Sequence, residues 1–216
     1  MKTKTCLLIL LPLLLAAFNF SDTIVFAQSS PIPPWELIKE QGPLKVYTRK
    51  SEDSDIKELR ITTQMKATLN DFIEALNDAD SYKEWVYKCA SSRLVERISD
   101  FELYYQVESD FPFPLSDRDL VVYTIQKIDA SGTFHSDSVA RPDYQPKEKG
   151  VVRISLFESH WKVTALGDGT VFIDYNSKVD PAGNIPLWVI NLGLTIGPVK
   201  TMESFTEFVE QKKFKR

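Results

Sequence analysis

His135 and His160 are the only histidines in the 216 residues, and Cys89 is the only cysteine beyond an apolar run at the N-terminus. No G-x-S-x-G elbow, His-x-x-x-His pair or multi-cysteine set accompanies them. Nucleophilic and metal-assisted chemistry therefore both lack their usual spacing. His160 sits beside Trp161 on a strand that alternates inward, where it can act as a general base near neutrality or simply as a hydrogen-bonded histidine. Cys89 reads as a small buried hydrophobe. The polar residues with more to say are Arg118 and Asp119. As neighbours on a strand they face opposite sides, so one of them looks toward the interior or its rim. A buried arginine needs a partner, and Glu102, Glu108, Asp117 or Asp174 can supply it. Such an arginine either hydrogen-bonds the polar head of a ligand or forms a structural ion pair at the sheet edge. Trp188 and Asn191, three apart, share a helix face. An inward face packs the indole on a ligand and offers it an amide; otherwise Asn191 ties the helix to a loop. In "FPFPL", Phe111 and Phe113 are held extended by Pro112 and Pro114 and form either apolar tips or a stiff plug.

These residues need a scaffold, and the chain ahead of it is a leader. Lys2 and Lys4 precede "CLLILLPLLLAAF", and "VFAQ" offers cleavage after Ala27, the pattern of a secretory signal. The expectation is a signal over residues 1–27, a single domain over 28–216, and a periplasmic or secreted location. The formal net charge is −4, which disfavours nucleic acid as a partner. With one cysteine left after cleavage, a domain of this size holds together through its core alone.

The order of elements follows from periodicity. "WELIKEQ", after Pro33 and Pro34 and before Gly42-Pro43, is expected to form a short helix. "LKVYTRK" and "IKELRITTQM" alternate as a hairpin of strands. "TLNDFIEAL" turns helical with Thr68 or Asn70 as cap, and a second short helix holds Tyr82, Trp85 and Val86, capped by Asp80 or Ser81 with Glu84. From Ser91 to Val179 strand follows strand, separated by turn residues, with no helix between to support a parallel crossover. The result is an antiparallel meander with one face to cover. Only the C-terminal segment can cover it. Trp188, Leu192, Ile196, Val199, Met202, Phe205 and Val209 step by three or four, and Gly193, Gly197 and Pro198 predict a kink or break near Gly197. A curled sheet meets a long helix well at the rim and poorly at the middle. The gap calls for side chains or a guest, and Tyr104, Tyr105, Tyr123, Phe157, Trp161, Phe172, Tyr175 and Trp188 are available to line it.

"YKEWV", "YYQVESDFPFPLSDRDLVVY" and "VDPAGNIPLWVINLG" together resemble the START lipid-transfer domain family, over about Trp35 to Phe208. The matching positions are Trp85, Arg118, Asp119, Asp180, Gly183, Ile185, Pro186, Trp188 and Asn191. Ala182 departs, standing where the first of two glycines is usual. Thr124 and Gln126 stand where some sterol carriers place further charge, so sterol specificity does not follow. The resemblance implies an α+β helix-grip fold, a curved antiparallel sheet wrapped around a long C-terminal helix, with two short helices after the first strands. It implies one lipid-like ligand in an internal tunnel, carried between membranes without catalysis, cofactor or metal. The expected ligand-binding residues are Trp85, Tyr105, Phe111, Phe113, Arg118, Tyr123, Phe157, Trp161, Phe172, Trp188, Asn191, Leu192, Thr195 and Val199. The expected gate is "FPFPL" together with the Gly193–Pro198 break. A monomer in transient contact with a membrane is expected. The alternative is a small cyclase or hydrolase using the same cavity.

Overall fold

The computed structural model describes residues 33–52 and 57–214; the expected signal segment lies outside them. Among the described residues, ten strands and four α-helices follow one another. β1 (Glu36–Gln41), β2 (Leu44–Lys50) and β3 (Lys57–Met65) lead to α1 (Leu69–Leu76) and α2 (Tyr82–Trp85), with a 3₁₀ turn at Ala79–Ser81 between the helices. Then come β4 (Cys89–Ser99), β5 (Glu102–Ser109), β6 (Arg118–Ile128), β7 (Phe134–Ala140), β8 (Val152–Arg153), β9 (Leu156–Ala165) and β10 (Val171–Asp180). The chain closes with α3 (Leu187–Thr195) and α4 (Gly197–Phe214). The sheet runs β1-β2-β3-β10-β9-β7-β6-β5-β4. It is curved, open and antiparallel, and it wraps α4. The single parallel element is β8, a two-residue rung beside Arg118 and Asp119 of β6.

Alternation places Leu44, Val46 and Thr48 of β2 and Ile61, Thr63 and Met65 of β3 inside. The two strands pair antiparallel, with Val46 opposite Ile61. α1 begins in a capping box: Thr68 Oγ1 accepts from the Asp71 amide, and Asp71 accepts from the Thr68 amide. Its apolar stripe buries Phe72 and Leu76. The cap expected for α2 does not form. Ser81 makes no capping hydrogen bond, because its hydroxyl is turned back to Asp78 at 2.9 Å, and Asp80 accepts from the Leu94 amide at the edge of β4 instead.

The segment "WELIKEQ" overturns its helical expectation. Glu36–Gln41 is a strand paired with β2, with every residue exposed. Gly42 has a φ of +57° and opens a two-residue loop to Leu44, the glycine-first pattern of a tight hairpin turn. Five ladder positions on an existing strand outcompete a two-turn helix without a side-chain cap, which is marginal alone.

The C-terminal segment breaks where glycine and proline require it, between Thr195 and Gly197. Val199, Met202, Phe205 and Val209 of α4 are buried against the concave face. Phe205 lies edge-on to Phe72 at 5.3 Å and against Trp85 at 4.4 Å. Phe72 in turn meets Phe134 and Trp161. This cluster fills one end of the space under the helix solidly.

Candidate functional site

At the other end the packing opens. A hollow of about 350 Å³ lies between the sheet floor, α2 and the helix break. Its floor is Ile61, Tyr105, Leu120, Phe157, Ser159, Trp161 and Tyr175; its side wall is Tyr82, Trp85 and Val86. Its roof is Gly193, Gly197, Pro198, Thr201 and Met202. Two glycines and a proline leave the roof without bulk just where the backbone turns, which keeps the space from closing. Among the described residues, no aspartate, glutamate, lysine or arginine lines it. The volume lies at the small end of the range for small-molecule pockets.

The floor follows from register. Tyr105 faces Val122 and Val107 faces Leu120 across β5 and β6, all on the concave side. Tyr175 faces Trp161 across β10 and β9, with their rings 4.4 Å apart. Tyr82 packs on Trp85 at 4.9 Å and on Tyr105 at 5.1 Å, bridging wall to floor. Burial pushes the phenols of Tyr82, Tyr105 and Tyr175 up from their ordinary range. They therefore present neutral hydroxyls at any working pH.

Four of the expected ligand residues come together here: Trp85, Tyr105, Phe157 and Trp161. Val199 is buried in the core next to the roof, and Thr195 is half-buried at the end of α3. The side chains of Asn191 and Leu192 lie outside the described ones. Tyr123 and Phe172 point to the opposite face of the sheet. Tyr123 is paired with Tyr104, its hydroxyl donating to Glu102 Oε1 at 2.7 Å; Phe172 alternates with the buried Val171 and Ile173. Trp188 also departs from expectation, being 56% exposed, while its neighbour Val189 is buried. The cause is the composition of α3. "LWVINLGLT" is apolar on nearly every side, so periodicity does not select the face that turns inward. Tyr82, Leu120, Ile154, Ser159 and Met202 line the hollow and were missing from the expected set. Strand parity anchored on Trp161 would have found Ser159, whereas Leu120 needs the pairing of β6 with β5 as well.

Arg118 is 4% exposed, yet none of the carboxylates proposed for it is its hydrogen-bond partner. Its guanidinium donates to the carbonyls of Pro181 and Ala182, both at 3.2 Å, and to that of Ser116. It also stacks over Phe111 at 4.3 Å. One side chain thus clasps the "FPFPL" turn to the loop that leads into α3. That loop is tight: Ala182 and Gly183 have φ values of +59° and +75°, and Asp180 Oδ1 accepts from the Ala182 amide at 2.8 Å. The alanine at a position that favours glycine costs about 1 kcal/mol. Burial lowers the guanidinium pKa from its ordinary value, with Asp117 opposing. Arg118→Met leaves three carbonyls without their donor and is expected to cost about 2–3 kcal/mol. Urea unfolding measures this, and amide exchange over residues 180–186 should accelerate more than over α1.

Asp119 faces the other way and is buried against Arg153, Nη2 to Oδ2 at 2.6 Å and Nε to Oδ1 at 2.8 Å. Gln106 Nε2 donates to the same carboxylate at 3.0 Å. Arg153 also donates to the carbonyls of Pro142, Gln145 and Pro146, fixing the loop ahead of β8.

His160 lies on the outer face, its Nδ1 2.6 Å from Asp137 Oδ1, while Trp161 takes the inward position. Of the two readings offered for His160, this is the hydrogen-bonded histidine and not the general base. Among the described residues no group of three or more His, Cys, Asp or Glu could hold a metal ion. Burial pushes the Cys89 thiol up to about 11, which makes it a poor nucleophile. No helix among the described residues is long and apolar enough to cross a membrane.

Against this geometry, a family model described as "START domain" matches residues 30–214. The chain is 30% identical over 180 residues to an uncharacterised protein of Pseudomonas aeruginosa, covering 82% of this chain and 88% of that one. It is 27% identical over 170 residues to the bovine phosphatidylcholine transfer protein, covering 73% of this chain and 75% of that one. Among solved structures, a STAR-related lipid transfer protein from Xanthomonas axonopodis superposes with a TM-score of 0.75 at 30% identity, over 82% of this chain and 98% of the other.

Proposed function

Because the chain belongs to the START domain family, we propose that it holds one lipid-like molecule in the hollow beneath the helix break and carries it between membranes chemically unchanged. The observation that carries this reading is the hollow itself, about 350 Å³ with no charged side chain in its walls, beside a cluster that is otherwise packed solid. A persistent apolar space in a dense core costs stability unless something occupies it. The lipid-transfer names of the bovine and Xanthomonas relatives support a lipid as its class.

Transfer needs a small difference between protein and bilayer, and a moving gate. A lipid burying about 500 Å² of apolar surface gains about 12 kcal/mol against water, and a membrane offers much the same. Phe113 is 96% exposed at the tip of its turn, and Trp188, Ile190 and Ile196 are exposed on and just after α3. These tips flank the roof and supply the transient membrane contact, with Arg118 clasping the two segments together between visits. The signal pattern of residues 1–27 supports delivery of the carrier to the periplasm or beyond. The cyclase or hydrolase reading loses its base, since His160 is on the face away from the hollow.

Two measurements test this function. Protein purified from its own host should yield about one lipid per chain on organic extraction. The pure protein should also speed movement of that lipid from donor to acceptor vesicles in proportion to its concentration. Absence of both a bound lipid and any acceleration would remove the reading.

A further inference from the structure

The concave side of the sheet carries a line of hydroxyls that an apolar pocket does not require, and one of them, Ser159, lies on the floor of the hollow. Thr124 of β6 pairs with Ser138 of β7, Ser138 with Ser159 of β9, and Ser159 with Ser177 of β10. Equal register puts all four on the concave side, one per strand, across the middle of the sheet. Thr124 Oγ1 and Ser138 Oγ are 2.8 Å apart.

Beside this row lies an annex of about 20 Å³, walled by Thr124, Gln126, Ser136 and Ser138 and sharing Leu76, Tyr82, Tyr105 and Trp161 with the hollow. Gln126 is 6% exposed. Its Nε2 donates to Asn77 Oδ1 at 2.7 Å and to Ser136 Oγ at 3.4 Å, but its Oε1 has no partner. Trp85 Nε1, buried on the wall of the hollow, is likewise unpaired. Buried polar atoms are nearly always satisfied, so each orphan asks for a ligand group or a water. The annex has room for one such group and no more. Neither space is lined by a charged side chain, and a phosphate or ammonium taken from water without a charged partner costs several kcal/mol.

We propose that this chain selects an uncharged lipid with one small hydrogen-bonding group, a hydroxyl above all, seated at Gln126 and the Thr124–Ser138 pair. A hydroxyl donates to Gln126 Oε1 and accepts from the neighbouring hydroxyls, which a charged headgroup of several atoms cannot do in that volume. The inference rests on the lipid-binding reading above and narrows it to a class.

The test uses the whole chain incubated with phosphatidylcholine vesicles doped equally with 1-hexadecanol and hexadecyl methyl ether, followed by recovery of the protein and quantification of its extract. The expected result is about ten-fold or greater enrichment of the alcohol over the ether, the effect of satisfying one buried acceptor. Gln126→Leu should bring that ratio close to one, with an unchanged circular-dichroism spectrum and a cooperative thermal melt reporting an intact fold. Equal uptake of alcohol and ether by the unaltered protein would overturn the proposal, as would recovery of phosphatidylcholine in place of either. Those outcomes leave lipid binding standing; recovery of no lipid at all would remove both readings.

Discussion

Ser159→Phe is expected to reduce vesicle-to-vesicle transfer by about a hundred-fold or more while leaving the fold intact. Ser159 is on the floor of the hollow, opposite Ser177 and between the Trp161 and Phe157 positions of β9. A phenyl ring there occupies space that the ligand would use. Displacing even about 150 Å² of ligand surface forfeits about 4 kcal/mol of binding, and each 1.4 kcal/mol is a factor of ten. Stability should change little, because the ring enters a space with few contacts to disrupt. His160→Phe is the matched control. It adds comparable bulk one residue along the same strand, on the outer face beside Asp137, and transfer should remain near that of the unaltered protein. Vesicle transfer by the two variants, with melting curves for each, checks the result. Equal transfer by both would mean that the guest does not lie on this floor.

The largest effect on stability is expected from Arg153→Met. It leaves the Asp119 carboxylate, 3% exposed, with Gln106 as its one remaining side-chain donor. Breaking a buried ion pair from one side costs about 3–5 kcal/mol, because the surviving charge has neither water nor a partner. For a domain of this length each kcal/mol lowers Tm by about 2–4 °C, so a drop of about 6–20 °C should appear in a thermal melt. Removing both charges, as Asp119→Leu with Arg153→Met, should recover much of the loss. The double variant still lacks the donors to Pro142, Gln145 and Pro146, so the loop ahead of β8 should exchange its amides faster even where Tm returns.

Much of this architecture was legible in the sequence, and what was hidden has physical reasons. Alternation in Leu44–Lys50 and the spacing of Phe72 and Leu76 each reflect a partition between water and core, and that partition is written locally. The helix break was equally visible, because Gly197-Pro198 cannot continue a hydrogen-bond ladder. Register between strands is a different kind of information. Tyr105 and Tyr123 look alike in isolation; only the pairing of Tyr104 with Tyr123 puts one of them at the hollow and the other on the outer surface. A one-residue offset inverts a side chain, and Tyr123 and Phe172 were misplaced in that way. The partners of Arg118 were unreadable for another reason. They are backbone carbonyls, two of them more than 60 positions away at Pro181 and Ala182, and a carbonyl carries no residue-specific signature. "WELIKEQ" shows the limit of local propensity, since the presence of β2 alongside decided its conformation.

That outermost strand has a consequence for how the molecule coexists with its own copies. β1 has every side chain exposed, and its pairing with β2 is interrupted by a bulge between Leu37 and Lys39. Bared, β2 would offer a long, regular ladder backed by Leu44, Val46 and Thr48 to any other chain. A charged, irregular border facing the solvent is a poor template for further strands. The far border at β4 is irregular as well, with three register shifts against β5 and its Leu94 amide taken by Asp80. A sheet left open so that it can curl around α4 is thereby kept from growing into a polymer.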